Sequence, residues 1–241
     1  MNLSSKNLKL VAGVIYLLVL IIGLYYLFSF IDLKDLSSYE FIRSHKYRII
    51  EYKNNNFFIL TISFFIFSII WVLLLGFAGP LLLFSGFVFG KWYGLLISLI
   101  SLTFGATLLY TLAKLFFSDL IRDKLDKRFS NFKNYFKKNE LLYFIIYRFT
   151  GGGGIPYGIQ NVLPVLFNIS TKNYFLGTII GSSPPLFVTI ALGSGIENVI
   201  DKNEKLDIFS VISSPDIYLP IIGFLIIILL GFLIKKFFFK N

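Results

Sequence analysis

The stretch that decides the fold is IIYRFTGGGGIPYGIQNVLPVLF, residues 145–167. An arginine, four consecutive glycines, two prolines, a glutamine and an asparagine interrupt residues that otherwise belong in lipid. Each glycine inside a helix costs about 1 kcal/mol against alanine. Pro156 lacks an amide donor and pushes Ile155 out of the helical region. The run therefore breaks the chain between two short apolar arms, Leu141–Phe149 and Ile159–Phe167. Non-helical backbone survives at membrane depth only where protein or a wet cavity covers its polar groups. The two arms are thus predicted to form a re-entrant hairpin over residues 141–168.

The rest of the chain supports a lipid environment. Of its 241 residues 56% are hydrophobic and 19% aromatic, and several apolar runs approach the roughly 20 residues that a bilayer core requires. Cysteine is absent and His45 is the single histidine, so thiolate and histidine metal clusters are excluded. No Ser/His/Asp set, carboxylate pair or nucleotide motif is present, and no enzyme, cofactor or metal is expected. The formal charge of +10 is what basic cytoplasmic loops produce, and nucleic acid is not expected as a partner.

Read outward from the opening stretch, the predicted class is an all-α, polytopic helical membrane protein. Residues 1–31 form an N-terminal transmembrane helix, kept as an anchor because no small-residue cleavage site follows it. Residues 32–56 are a polar, interfacial segment. Phe57–Leu75, a break at GFAGP and Leu81–Phe89 form a first re-entrant hairpin, 57–92, with Gly76, Gly79 and Pro80 at its tip. A transmembrane helix follows at 94–114, then a basic amphipathic segment at 119–139, the second hairpin, and a transmembrane helix at 174–192. Residues 196–216 form an external loop, 217–234 the last transmembrane helix and 235–241 a basic tail.

The middle of the chain repeats one unit, and basic residues at 122–138 and 235–240 place both connections, and both termini, in the cytoplasm. The two hairpins then enter from opposite faces, giving the inverted repeat that transporters use around a midplane site. A rival arrangement makes Phe57–Leu75 a full span and puts residues 32–56 inside. Five basic residues in that segment leave the charge rule undecided.

Arg148 marks a functional position, because a charge at membrane depth is expensive and usually serves a substrate path. Its planar donor fork suits a phosphate. The competing reading is an arginine that snorkels to the cytoplasmic mouth. Amides of Gly151, Gly152, Gly153 and Gly154 can bind an anion, and Gln160 and Asn161 require hydrogen bonds wherever they are buried. Gly86, Gly90 and Gly94 recur every four residues and permit close helix approach, as does Gly181. Pro184 and Pro185 are expected to kink the helix that carries them.

Two blocks carry a family resemblance. GPLLLFSGFVFGKWYGLLISLISLTFGATLLYTLAK, residues 79–114, resembles the proline-led turn, glycine-rich arm and helix of the VTT-domain membrane proteins. YRFTGGGGIPYGIQNVLPVLFNISTKNYFLGTIIGSSPPLFVTIALGSG, residues 147–195, resembles that family's second half. By this match Arg148, Pro156, Asn161, Phe175, Gly181, Pro185 and Gly193 occupy family positions. The resemblance implies two opposed re-entrant loops and movement of lipid between leaflets. That means scramblase-like activity in eukaryotic relatives and recycling of polyprenyl-phosphate or phospholipid carriers in bacterial ones. The DedA branch has acidic residues in its first hairpin, whereas residues 57–113 here contain none, so the closer likeness is to the SNARE-associated Golgi protein-like branch. The expected partner is a membrane lipid with an anionic phosphate headgroup, and the expected location a bacterial inner membrane. A small-solute or ion transporter and a non-transporting scaffold are the alternatives.

Overall fold

The computed structural model describes residues 39–118, 135–136, 138–202, 213 and 215–238, with positions 11, 13, 15, 18 and 22. Most of the predicted N-terminal span, most of the amphipathic segment at 119–139 and the last three residues of the basic tail therefore lie outside the described residues. The described chain is all α: α1 (Tyr39–Leu73), α2 (Ala78–Phe89), α3 (Lys91–Phe116), α4 (Glu140–Phe149), α5 (Tyr157–Val162), α6 (Thr171–Lys202) and α7 (Pro215–Phe238). Short 3₁₀ segments follow α4 at Gly151–Gly153 and α5 at Leu163–Phe167.

Among the described residues three segments are long and apolar enough to cross a membrane: Tyr47–Leu73, Lys91–Phe116 and Thr171–Gly195. Their outer faces carry large apolar side chains in the open, such as Phe58 (74% exposed), Ile66 and Leu96. Lipid, rather than water, is the solvent that such faces require. The chain is a polytopic helical membrane protein.

α1 begins well before the apolar run at Phe57, because the polar residues ahead of it continue the same helix. The helix bends at Asn56, whose φ of −134° and ψ of 35° are not helical. Asn54, Asn55 and Asn56 weaken the helix there, since their short amides compete for the backbone's hydrogen bonds.

The first break occupies residues 74–77, slightly earlier than predicted. Leu75 adopts a φ of +58°, and the Gly76 amide donates to Trp71 O at 2.9 Å. Trp71 Nε1 donates to Phe77 O at 2.8 Å and braces the turn. A Cβ on Gly76 would lie 2.3 Å from that indole nitrogen. Gly79 and Pro80 are thus not the tip but the first turn of α2, where proline's missing donor is no loss.

α6 is the element on which the others assemble: α2, α3, α4 and α7 all pack against it. Glycines set the distances. A Cβ on Gly86 of α2 would sit 1.9 Å from Ile190 O, and one on Gly193 would sit 2.1 Å from Leu83 O. In lipid, where apolar side chains gain little by leaving their solvent, such backbone contact is what holds helices together. Gly94 similarly lets α3 approach Ser85, whose hydroxyl donates to Gly94 O at 3.1 Å and accepts from Ser98 at 2.8 Å.

Gly90 corrects the four-residue pattern. Nothing lies within 4 Å of a Cβ built on it, but its φ is +75° and it separates α2 from α3. Its role is to turn the chain. α6 runs through Pro184 and Pro185 without interruption and continues to Lys202, so the predicted external loop at 196–216 begins as helix.

Candidate functional site

The second hairpin is closed by polar side chains at three depths. At its base, Asn139 caps α4 by accepting from the Leu142 amide at 3.1 Å. Glu140 Oε1 accepts from the Ser170 amide (2.6 Å), the Ser170 hydroxyl (2.9 Å) and Asn173 Nδ2 (3.0 Å). One carboxylate therefore joins the start of α4 to the start of α6.

At the tip, Gly151, Gly152 and Gly154 have φ of +61°, +64° and +85°. Side chains other than glycine pay a steric penalty in that left-handed region, which explains why the run is glycine. Gln160 reaches back from α5, and its Nε2 donates to Gly151 O at 2.7 Å and to Ile155 O at 2.5 Å. Its stem fills the space beside Gly152, where a Cβ would lie 2.6 Å from Gln160 Cγ. Tyr147 adds a bond from its hydroxyl to Gln160 O at 3.1 Å. The expectation of a tip with open amides is modified: Gly154 N turns inward to Gly151 O, and Gln160 clamps the loop. Pro156, in extended geometry, leads into α5.

Between base and tip stands Arg148, only 3% exposed, so it does not snorkel to the interface. Its Nη1 donates to Asn161 Oδ1 at 2.7 Å and its Nη2 to the Tyr174 hydroxyl at 2.5 Å. Tyr174 in turn donates to Asn161 O at 3.0 Å. One guanidinium so ties α4, α5 and α6 together. Its Cζ lies 5.0 Å from the Tyr174 ring centroid and 5.2 Å from that of Phe144. Small residues make room: a Cβ on Gly181 would meet Arg148 Cβ at 2.7 Å, and one on Gly177 would meet Phe144 Cδ1 at 2.5 Å.

Tyr110 of α3 stacks on Tyr174 with centroids 4.2 Å apart. Its hydroxyl donates to Ile169 O, which Lys114 Nζ also reaches at 3.1 Å. The break between α1 and α2 meets the same assembly, since a Cβ on Gly158 would lie 2.9 Å from Leu75 O.

The charge balance is the site's main chemical feature. Arginine remains protonated in proteins. Yet every described partner of Arg148 is neutral, and among the described residues no carboxylate pairs with it. Arg148 Nε is also a buried donor without an acceptor, and the Asn161 amide faces the buried Tyr157 hydroxyl. A buried group with an unused donor and an uncancelled positive charge is a place for an anion.

Arg148, Asn161, Gln160 and the glycine run thus come together in space. Gly86, Gly90, Gly94, Pro184, Pro185 and Gly193 belong to packing and turning elsewhere. Tyr174, Tyr110, Phe144 and Glu140 were not singled out from sequence. The available signal for Tyr174 was chemical: a tyrosine hydroxyl buried in an apolar helix has to find a partner. Among the described residues no group of three His, Cys, Asp or Glu is placed to hold a metal ion.

Comparison with known proteins gives a match to the VTT domain over residues 77–195, from the first break into α6. The Transmembrane protein 41 homolog of Caenorhabditis elegans is 26% identical over 156 residues, covering 62% of this chain and 61% of that one. The Transmembrane protein 41 homolog of Dictyostelium discoideum is 27% identical over 172 residues, covering 68% of this chain and 49% of that one. The match therefore spans less than two thirds of either relative. No solved structure matches the chain.

Tyr174→Phe removes the acceptor of Arg148 Nη2 and the donor to Asn161 O. It is expected to destabilise the folded protein by about 1–3 kcal/mol, read as a lower thermal midpoint in detergent. In an Arg148→Met background the same change should cost measurably less. Equal losses in both backgrounds would show that the two side chains are not coupled.

Proposed function

The chain belongs to the VTT-domain membrane proteins, and we propose that it moves a lipid with an anionic phosphate headgroup between the two leaflets. The observation that carries this reading is the Arg148 guanidinium, buried among neutral groups with its Nε unpartnered. A cation at that depth costs several kcal/mol unless an opposite charge arrives. A lipid phosphate supplies that charge transiently and leaves with its lipid, which a permanent carboxylate partner would prevent.

In this mechanism the phosphate takes the place of Tyr174 and Asn161 on the guanidinium. Amides of the Gly151–Gly154 tip share its remaining acceptors as Gln160 releases Gly151 O. The donors are backbone and neutral amide groups apart from Arg148, so the phosphate is bound without a second full charge and can depart. A small anionic solute would meet the same donor and compete with the lipid for it, whereas a scaffold role leaves the buried charge unused.

The proposed topology has two opposed re-entrant hairpins, 57–92 and 141–168, in an inverted repeat with both termini cytoplasmic. The contact between Leu75 and Gly158, which joins the two breaks, supports it. The length of Tyr47–Leu73, 27 residues or roughly 40 Å, favours a second arrangement in which that helix crosses outright. The native chain has no cysteine, so Lys53→Cys separates them. Labelling of intact cells by an impermeant maleimide is expected for the double hairpin. Protection until the cells are opened would establish the crossing helix.

Transport itself is read in vesicles of phosphatidylcholine with a trace of fluorescent phosphatidylglycerol. Arg148→Met keeps the side-chain volume and removes the charge, so folded protein should persist. Flipping is expected to fall to the protein-free rate. Arg148→Lys should recover part of it, because a point charge replaces a planar fork. Wild-type rates from well-folded Arg148→Met protein would overturn the proposal.

A further inference from the structure

The bend in α1 creates a second place where lipid chemistry is concentrated, sharing no residue with the Arg148 cluster. His45, Arg48, Ile49 and Tyr52 stand at i, i+3, i+4 and i+7, so they line one face of the limb before Asn56. Across the bend they face Leu60 of the second limb and Phe84 of α2. These six residues line an open groove with a volume of about 450 Å³. That volume falls among sites for small ligands, roughly 300–1,000 Å³.

The lining surface is almost wholly apolar, and the one charge stands at its edge. Ile49, Leu60 and Phe84 form an apolar floor, backed by Phe64 stacked on Phe84 with centroids 6.2 Å apart. Arg48, exposed, stands at the rim with Tyr52. Among the described residues no acidic side chain lines the groove and no carboxylate pairs with Arg48. Glu51, three residues after Arg48, is its neighbour on the helix but lies outside the lining. Phe58 and Ile59, which follow the bend, are exposed apolar side chains. A soluble anion would use the rim and waste the floor; an apolar solute would use the floor and ignore Arg48.

We infer that the elbow of α1 is a docking site for an anionic phospholipid. Its phosphate sits at Arg48 and its acyl chain lies over Ile49, Leu60 and Phe84. Arg48 is hydrated and exposed, so the headgroup is held loosely and exchanges with the bilayer. Arg148, buried and dry, would bind the same chemistry more selectively. The elbow is thus a receiving site for the lipid whose transport was proposed above. Its purpose rests on that reading, whereas its occupancy does not.

The test uses the full-length protein in phosphatidylcholine nanodiscs containing a trace of phosphatidylglycerol with a photoactivatable acyl chain. Labelled peptides are identified by mass spectrometry. Label is expected on residues 45–60 and around Phe84. Arg48→Gln should reduce it about fivefold, the loss of one surface cation's attraction for an anionic lipid. Leu60→Trp, which fills the floor, should abolish it, and a phosphatidylcholine probe should label about as weakly as Arg48→Gln. Arg48 is exposed and Leu60 half-buried against the core, and an unchanged thermal midpoint verifies each variant. Label that is unaltered by either change, or a crosslink placing another segment of this chain in the groove, overturns the proposal. Flipping is measured on the same preparations. Intact flipping without elbow label refutes the docking site alone, and elbow label without flipping refutes transport and leaves the docking site standing.

Discussion

A guanidinium surrounded by neutral groups is the interaction on which this structure turns. Arg148 reaches Asn161 on one side and Tyr174 on the other, and those two residues come from different helices. The short length of α4, the reversal at the glycine run and the hollows at Gly177 and Gly181 all serve to bring that side chain to that point. Two aromatic faces and two neutral oxygens solvate the charge without cancelling it. A protein that needed only a structural tie could have used an apolar contact at lower cost, since buried charges seldom add stability over well-packed hydrophobic groups.

In the proposed re-entrant arrangement the membrane explains why the hairpin is fastened at three levels. Water would not be there to satisfy backbone released by a helix break, so neighbouring side chains do it. Glu140 performs this at the base, Arg148 and Asn161 in the middle, and Gln160 at the tip. The helices around the hairpin are joined differently, by backbone contact at glycine, with α6 as the common surface. The hairpin is consequently the polar part of an otherwise apolar assembly, and the elbow of α1 is a separate amphipathic feature at its margin.

Much of this was legible in the residues. Four glycines and a nearby proline cannot continue a helix, and an arginine and an asparagine among apolar residues must each find polar partners. What spacing could not distinguish was why each glycine is a glycine. Gly86 and Gly90 belong to one four-residue pattern, yet the first admits a neighbouring backbone and the second adopts a positive φ. Tyr174 was hidden for a different reason: a chain with 14 tyrosines gives no local sign of which hydroxyl meets a buried cation. The beginning of α1 was misplaced because polarity ends at Asn56 while the helix does not. Hydropathy reports the solvent, and helices cross from one solvent to another without stopping.

The central claim is that a lipid phosphate meets the Arg148 guanidinium. Magic-angle-spinning NMR of proteoliposomes can measure dipolar dephasing between guanidinium ¹⁵N and lipid ³¹P, taking the difference between wild type and Arg148→Lys. A charge-assisted hydrogen bond places nitrogen and phosphorus about 4 Å apart. Dephasing at that distance, present in wild type and lost in the variant, is the predicted result. Identical dephasing in both proteins would mean that the phosphorus signal arises from the surface arginines and that no lipid phosphate reaches Arg148.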